Sequence, residues 1–198
     1  MTAAFGRAPA GVFLPPSPLD AAAVHSLHQQ AFPFRQAGLN IGDRQSTGVS
    51  MTTPDRHIRL GYRTQKQLLA RIHHLQVTTS VPSAFGPIAD CTLELRIRGT
   101  HRTRHWWNPS GPGKSEADEV ATKLTGPALT ELIHAVDLTS CTVSWTAHTG
   151  CWHVCVEPYA GHHLRLLLPP MTYTNTLTRT EAAVITAALH EITTAVAD

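Results

Sequence analysis

Between His57 and Tyr62 the chain alternates strictly: Ile58, Leu60 and Tyr62 are interleaved with His57, Arg59 and Gly61. A period of two predicts a half-buried strand. The pattern recurs where Leu93, Leu95 and Ile97 alternate with Glu94, Arg96 and Arg98, and Gly99-Thr100 then turns the chain back toward Trp107 as a hairpin. Three further strands are predicted near 139–147, 151–158 and 162–168, with Pro169-Pro170 ending the last. Helix starts are marked by short polar signatures. Ser17-Pro18-Leu19-Asp20 combines a capping Ser, Pro at the first helical position and a following carboxylate, and the helix should run to about Phe32, where Pro33 stops it. Thr64-x-x-Gln67 followed by Leu68, Leu69, Ile72 and Leu75 predicts a second helix. Ser115-x-x-Asp118 opens a third, interrupted at Gly126-Pro127 and resuming to Val136. Thr178-x-x-Glu181 opens the last, with Ile185, Leu189, Ile192 and Val196 on one face. Residues 37–53 and 78–90 carry no clear period.

Strands joined by hairpins, with helices before, between and after them, define an α+β class. The expected architecture is an antiparallel sheet built from hairpins, helices packed on one face, and a long C-terminal helix. Residues 1–16 read as a Pro-rich arm and 17–198 as a single α+β domain, with a subdivision allowed near 82–90. The element order resembles a helix-grip arrangement with fewer strands. Within the sheet, a two-residue turn at Thr149-Gly150 would pair Ala147 with Trp152, Trp145 with Val154 and Val143 with Val156. A three-residue loop Tyr159-Ala160-Gly161, with Gly in the left-handed region, would set Leu164 beside Val156 and Leu166 beside Val154.

Composition narrows the class of protein. Of 198 residues, 42% are hydrophobic and 15% charged, enough for a core and too little charge for a disordered polyelectrolyte. No apolar run approaches the roughly 20 residues of a membrane helix, so no membrane partner is expected. No export signal is visible, and four Cys then read as reduced thiols in the cytoplasm. The net charge of +2 conceals an asymmetry: residues 35–114 hold twelve Lys/Arg and four Asp/Glu, whereas 115–198 hold three and nine. Such a dipolar chain suits an anionic partner on its basic part, or pairing of the two halves in a homo-oligomer.

Two constellations carry chemistry. Gly111-Pro112-Gly113-Lys114-Ser115 follows a strand and opens a helix, and it resembles the tail of a Walker A phosphate loop, although Asn108 stands where that loop has Gly. Backbone N–H groups, the positive helix end and Lys114 would together form an anion site. Arg96, Arg98, Arg102 and Arg104, with Trp107, extend it along the hairpin, a mixture of cations and aromatics that suits nucleic acid, a phosphorylated ligand or an acidic protein surface. The second constellation is His148, Cys151 and His153, which could share a zinc ion with one position open. Cys155 lies too far along the same strand, about 13 Å from Cys151 at roughly 3.3 Å per residue, to join them or to form a disulfide. The doublets His73-His74 and His162-His163 should point apart, because adjacent strand residues do. No nucleophile elbow, metalloprotease helix or dinucleotide fingerprint is present. The reading is a non-enzymatic cytoplasmic binding or assembly protein with an anionic partner, the alternative being a zinc-binding protein or zinc enzyme.

Overall fold

All ten strands of the described residues pair into one sheet. The computed structural model describes residues 19–84, 86–98 and 104–197, and is 44% strand and 31% helix. In chain order the elements are α1 (Ala21–Gln36), β1 (Asn40–Gln45), β2 (Gly48–Thr52), β3 (His57–Lys66), β4 (Ala70–Pro82), β5 (Cys91–Arg98), β6 (Arg104–Ser110), α2 (Lys114–Lys123), α3 (Pro127–Ala135), β7 (Leu138–Thr146), β8 (Cys151–Pro158), β9 (His163–Leu167), β10 (Pro170–Thr174) and α4 (Arg179–Ala197). The main path across the sheet is β1-β2-β3-β4-β8-β7-β5-β6, antiparallel throughout, with β9 also beside β4 and β10 outside β9. This is the α+β architecture with a long C-terminal helix that the sequence implies.

Alternation makes the two faces of the sheet chemically different. One face collects Met51, Leu60, Leu75, Val77, Leu93, Val143, Trp152, Val154 and Val156, all fully buried. The helices pack against it, and α4 contributes Ile185, Leu189 and Ile192, each at most 1% exposed. Burying each such side chain contributes about 1.5–3 kcal/mol before entropy is counted. The opposite face is largely polar, and among the described residues no helix covers it.

Local capping works as expected in α4, where the Glu181 carboxylate accepts from the Thr178 N–H (2.8 Å) and the Glu181 N–H donates to Thr178 Oγ1 (3.2 Å). Elsewhere the tertiary structure overrides local signals. Asp20, not Ser17, caps α1, accepting from the Ala23 N–H at 2.9 Å. Ser17, Pro18 and the 1–16 arm lie outside the described residues. Pro33 does not stop α1, which runs one turn further and anchors Phe34 in the core. Ser115 does not cap α2; Gly113 occupies that position, with no side-chain cap.

The helix expected over 64–75 is a hairpin. Thr64 faces His73 across β3 and β4, Gln67 N–H donates to Ala70 O at the turn, and Leu68 is 93% exposed at its tip. The helical spacing of Leu68, Leu69, Ile72 and Leu75 is fortuitous, since Ile72 and Leu75 fall on opposite faces of β4. The turn between β7 and β8 spans four residues rather than two, so Trp145 faces Trp152 and Val143 faces Val154. A slip of two residues in pairing keeps every side chain on its face. Leu164 and Leu166 lie beside Ile72 and Ala70 of β4, not beside β8, so β8 and β9 form one interrupted run along β4. Gly161 at that interruption has φ +90°, and a Cβ there would meet Leu75 Cδ2 at 2.3 Å. β9 ends at Leu167, just before Pro169-Pro170 as the sequence implies, and Pro170 then opens β10, a strand the sequence does not announce. The segment around 82–90 joins two strands of the same sheet and is tied to β7, with Trp145 Nε1–H donating to Pro87 O.

Candidate functional site

On the β5–β6 ribbon, cross-strand pairing sorts the basic residues. Arg96 faces Trp106 and Arg98 faces Arg104, so these four side chains share one side with Glu94 and Asn108. Their alternating neighbours Leu93, Leu95 and Trp107 face the helices. Trp107, expected to stand with the arginines, is 7% exposed and donates from Nε1 to Leu124 O just beyond α2. Trp106 takes the open position at 47% exposure. Arg96 is ion-paired with Glu94 at 2.8 Å on the same strand, while Arg98 and Arg104 are exposed. Arg102 and His101 lie outside the described residues.

The glycine loop lies at the other end of β6, about 20 Å from Arg104 at roughly 3.3 Å per residue. Its glycines serve chain packing. Gly111 has φ +97° and a Cβ there would lie 2.9 Å from Asp90 O, and one at Gly113 would meet Ala89 O at 2.4 Å. Gly113 N–H already donates to Asp90 O. Lys114 and Ser115 are exposed at the start of α2, beside Glu116. The two halves of the expected anion site are therefore apart.

His148, Cys151 and His153 do not converge either. Thr146 faces Cys151, Ser144 faces His153, and His148 is exposed in the turn. Among the described residues no three His, Cys, Asp or Glu side chains are grouped as a metal site. All four thiols are free; burial pushes Cys91 up to about 11 and Cys141 up to about 12, so both stay protonated at neutral pH.

The structure brings together groups that the sequence pattern left scattered. At the centre of the open face Glu157 is 4% exposed and accepts from Arg63 Nε (2.9 Å) and Nη2 (2.8 Å) and from Gln76 Nε2 (2.8 Å). Burial alone would raise its carboxyl, but the Arg63 fork and charge, with Gln76, hold it below the usual range. His74 lies beside this group, its ring edge-on to His162 at 4.6 Å, and its Nε2 bonds Gln65. Burial first, then the Arg63 and His162 charges, push His74 down to about 4. On the helix-covered face the other members of the two doublets, His73 and His163, are direct partners across β4 and β9. As expected, the doublets point apart. Burial lowers both of these histidines; the neighbouring His163 adds to the effect at His73, and Asp20 opposes it. Five buried side-chain nitrogens lack a hydrogen-bond partner among the described residues, and four belong to these histidines. Each such atom costs about 1–3 kcal/mol if it stays unpaired. The doublets were visible in the sequence, but the register joining β4 to β9 was not.

Fold and surface together define an α+β protein in which, among the described residues, α1, α2 and α4 pack on one face of an antiparallel sheet with α3 against α4, while the other face holds the buried Glu157 carboxylate beside His74 and the half-exposed Arg63 guanidinium. Residues 33–196 match the family described as "Protein of unknown function (DUF3156)", and the chain belongs to that family. No curated protein and no solved structure matches it. No helix among the described residues is long and apolar enough to cross a membrane.

Proposed function

We propose that this protein is a non-enzymatic binding protein that engages an anionic partner through the open side of the β5–β6 ribbon. The observation that carries the reading is the shared orientation of Arg96, Arg98, Arg104 and Trp106, with Trp106 exposed beside the cations. Guanidinium forks at alternate strand positions suit successive anionic groups, and an exposed indole offers a stacking surface. That combination favours a nucleic-acid strand over a single phosphorylated metabolite or an acidic protein surface. Lys114 stands too far away to bind the same short segment, and Glu94 partly offsets Arg96. Four free thiols, three of them buried, suit a reducing cytoplasm.

The test is binding of short single- and double-stranded oligonucleotides, and of phosphate-bearing metabolites, across a salt series. For duplex DNA each neutralised phosphate contributes about −0.9 to the slope of log affinity against log salt. Replacing Arg96, Arg98 and Arg104 by Ala should reduce both affinity and slope, while Trp106→Ala should weaken single-strand binding with little change in slope. Lys114→Ala should leave both unchanged. Absence of binding at low salt, or an unaltered slope in the triple variant, would refute the reading.

A further inference from the structure

Across β3, β4, β9 and β10, one row of side chains on the helix-covered face reads Thr64, His73, His163, Thr174, each facing the next across a strand pair. His73 Nδ1 bonds Thr64 Oγ1 at 2.9 Å, and His163 Nδ1 bonds Thr174 Oγ1 at 2.7 Å. Both threonines lie on the outside of the pair. In an imidazole the Cδ2–Nε2 edge lies opposite the Nδ1 edge, so each ring turns its Nε2 edge inward, toward the other ring. The ring centroids are 5.7 Å apart, and the residues are 2% and 3% exposed. Neither Nε2 has a hydrogen-bond partner among the described residues.

From this arrangement we propose that His73 and His163 hold one late first-row divalent metal ion, of the Zn2+ type, between their Nε2 atoms. Imidazole nitrogen is a preferred donor for such ions, at about 2.0–2.1 Å. Two rings that share an ion at that distance have centroids between 5 and 6.5 Å apart over ordinary bond angles, roughly speaking, from ring size and the N–metal length. The threonine hydroxyls orient the rings and select the tautomer whose lone pair is on Nε2, the role that partners of ligating histidines commonly play. Asp20 supplies nearby negative charge; its carboxylate is held by the Ala23 N–H and by Arg165 Nη1 at 2.6 Å. Tyr62 borders His73 at 5.8 Å, but its hydroxyl is engaged with Ser26 and with Gly161 O. Because no third His, Cys, Asp or Glu joins the pair among the described residues, the remaining coordination positions belong to water or an added ligand. The site is distinct from the basic ribbon and from His148, Cys151 and His153.

The experiment uses the full chain, stripped with a chelator and titrated with Zn2+ by calorimetry, with anomalous scattering from Zn2+-soaked crystals. The expected result is one ion per chain, with an anomalous peak between the two Nε2 atoms. His73→Gln and His163→Gln should each weaken binding by more than about tenfold, and Thr64→Val by about 10–100-fold, as loss of a ligand's supporting hydrogen bond typically does. His74→Gln and His162→Gln, altered on the other face, should bind as the parent does. The proposal is overturned if the folded parent binds no Zn2+, if the peak lies elsewhere, or if His74→Gln loses as much affinity as His73→Gln. Should the His73 and His163 variants fail to fold, the position of the peak in the parent decides alone.

Discussion

Arg63 and Glu157 stand 94 positions apart in sequence, yet their two-pronged contact is the electrostatic centre of the open sheet face. The Glu157 side chain is 5% exposed, whereas Arg63 keeps 44% of its surface in water. Removing Arg63 leaves a buried carboxylate with only Gln76 to compensate it. A fully buried pair broken in this way costs about 3–5 kcal/mol, and the exposure of Arg63 reduces that to about 2 kcal/mol. Chemical denaturation of Arg63→Ala should therefore show a lowered midpoint with an unchanged slope. The double variant Arg63→Met, Glu157→Leu should recover most of the loss, since it removes the buried charge along with its partner. Equal instability of the single and double variants would mean that packing, not charge, governs the position. At this scale the sequence marked several individual residues well: the Thr178–Glu181 cap, the left-handed Gly161 and the core positions of α4. It could not tell Trp106 from Trp107, because strand alternation says that the two point apart but not which one faces the helices.

The helix α3 is completed by another element. Glu191, on α4, accepts from the Ala128 N–H at 3.0 Å and the Leu129 N–H at 2.9 Å, so a carboxylate from a different helix serves as the N-terminal cap. Gly126 leaves the space for it, since a Cβ there would lie 2.1 Å from the Glu191 carboxyl carbon. Glu191→Ala should cost about 1–2 kcal/mol by loss of the cap and its favourable charge, read as a fall in denaturation midpoint, and Glu191→Gln should recover part of it. No change in either variant would show that water caps the helix equally well. The hairpin that replaces a helix over 64–75 is decided at the same scale. A run of apolar residues at 68, 69, 72 and 75 matches a helical face, but β3 and β4 pair over nine residue positions, Ile58 with Thr79 through Lys66 with Arg71. That ladder, with the buried side chains of Leu60, Tyr62, Leu75 and Val77, outweighs a short local helical preference.

Over the whole molecule, pH is the variable that the buried histidines should control. His73, His74, His153, His162 and His163 are all held below the ordinary histidine value of 6.5, with burial the leading cause in each. The unfolded chain therefore takes up protons first as pH falls, and stability rises with pH wherever the unfolded state binds more protons. The contribution is complete above about 6.5 and is lost from there toward 4, the value to which His74 is pushed. Each histidine still neutral in the fold adds up to about 1.4 kcal/mol per pH unit to that slope. Glu157, held low, loses its contribution only below 4.5, its ordinary value. Denaturation midpoints measured in chelator between pH 7.5 and 4.5 should fall steadily, and a flat profile would show that these histidines meet water freely. The sequence by itself determined which stretches are strands or helices in most of the chain, the apolar side of β3, β5, β7 and β8, and that the histidine doublets point apart. These are consequences of period and capping, both set by residues within a few positions of one another. Tertiary structure alone decided that β4 lies between β3 and the interrupted run of β8 and β9. It therefore decided that Arg63 meets Glu157, that His73 meets His163, and that Lys114 stands a strand's length from Arg104. Pairing across long separations depends on how hydrogen-bonded ladders and the helix-covered face are satisfied together, and local sequence carries almost no signal of that choice.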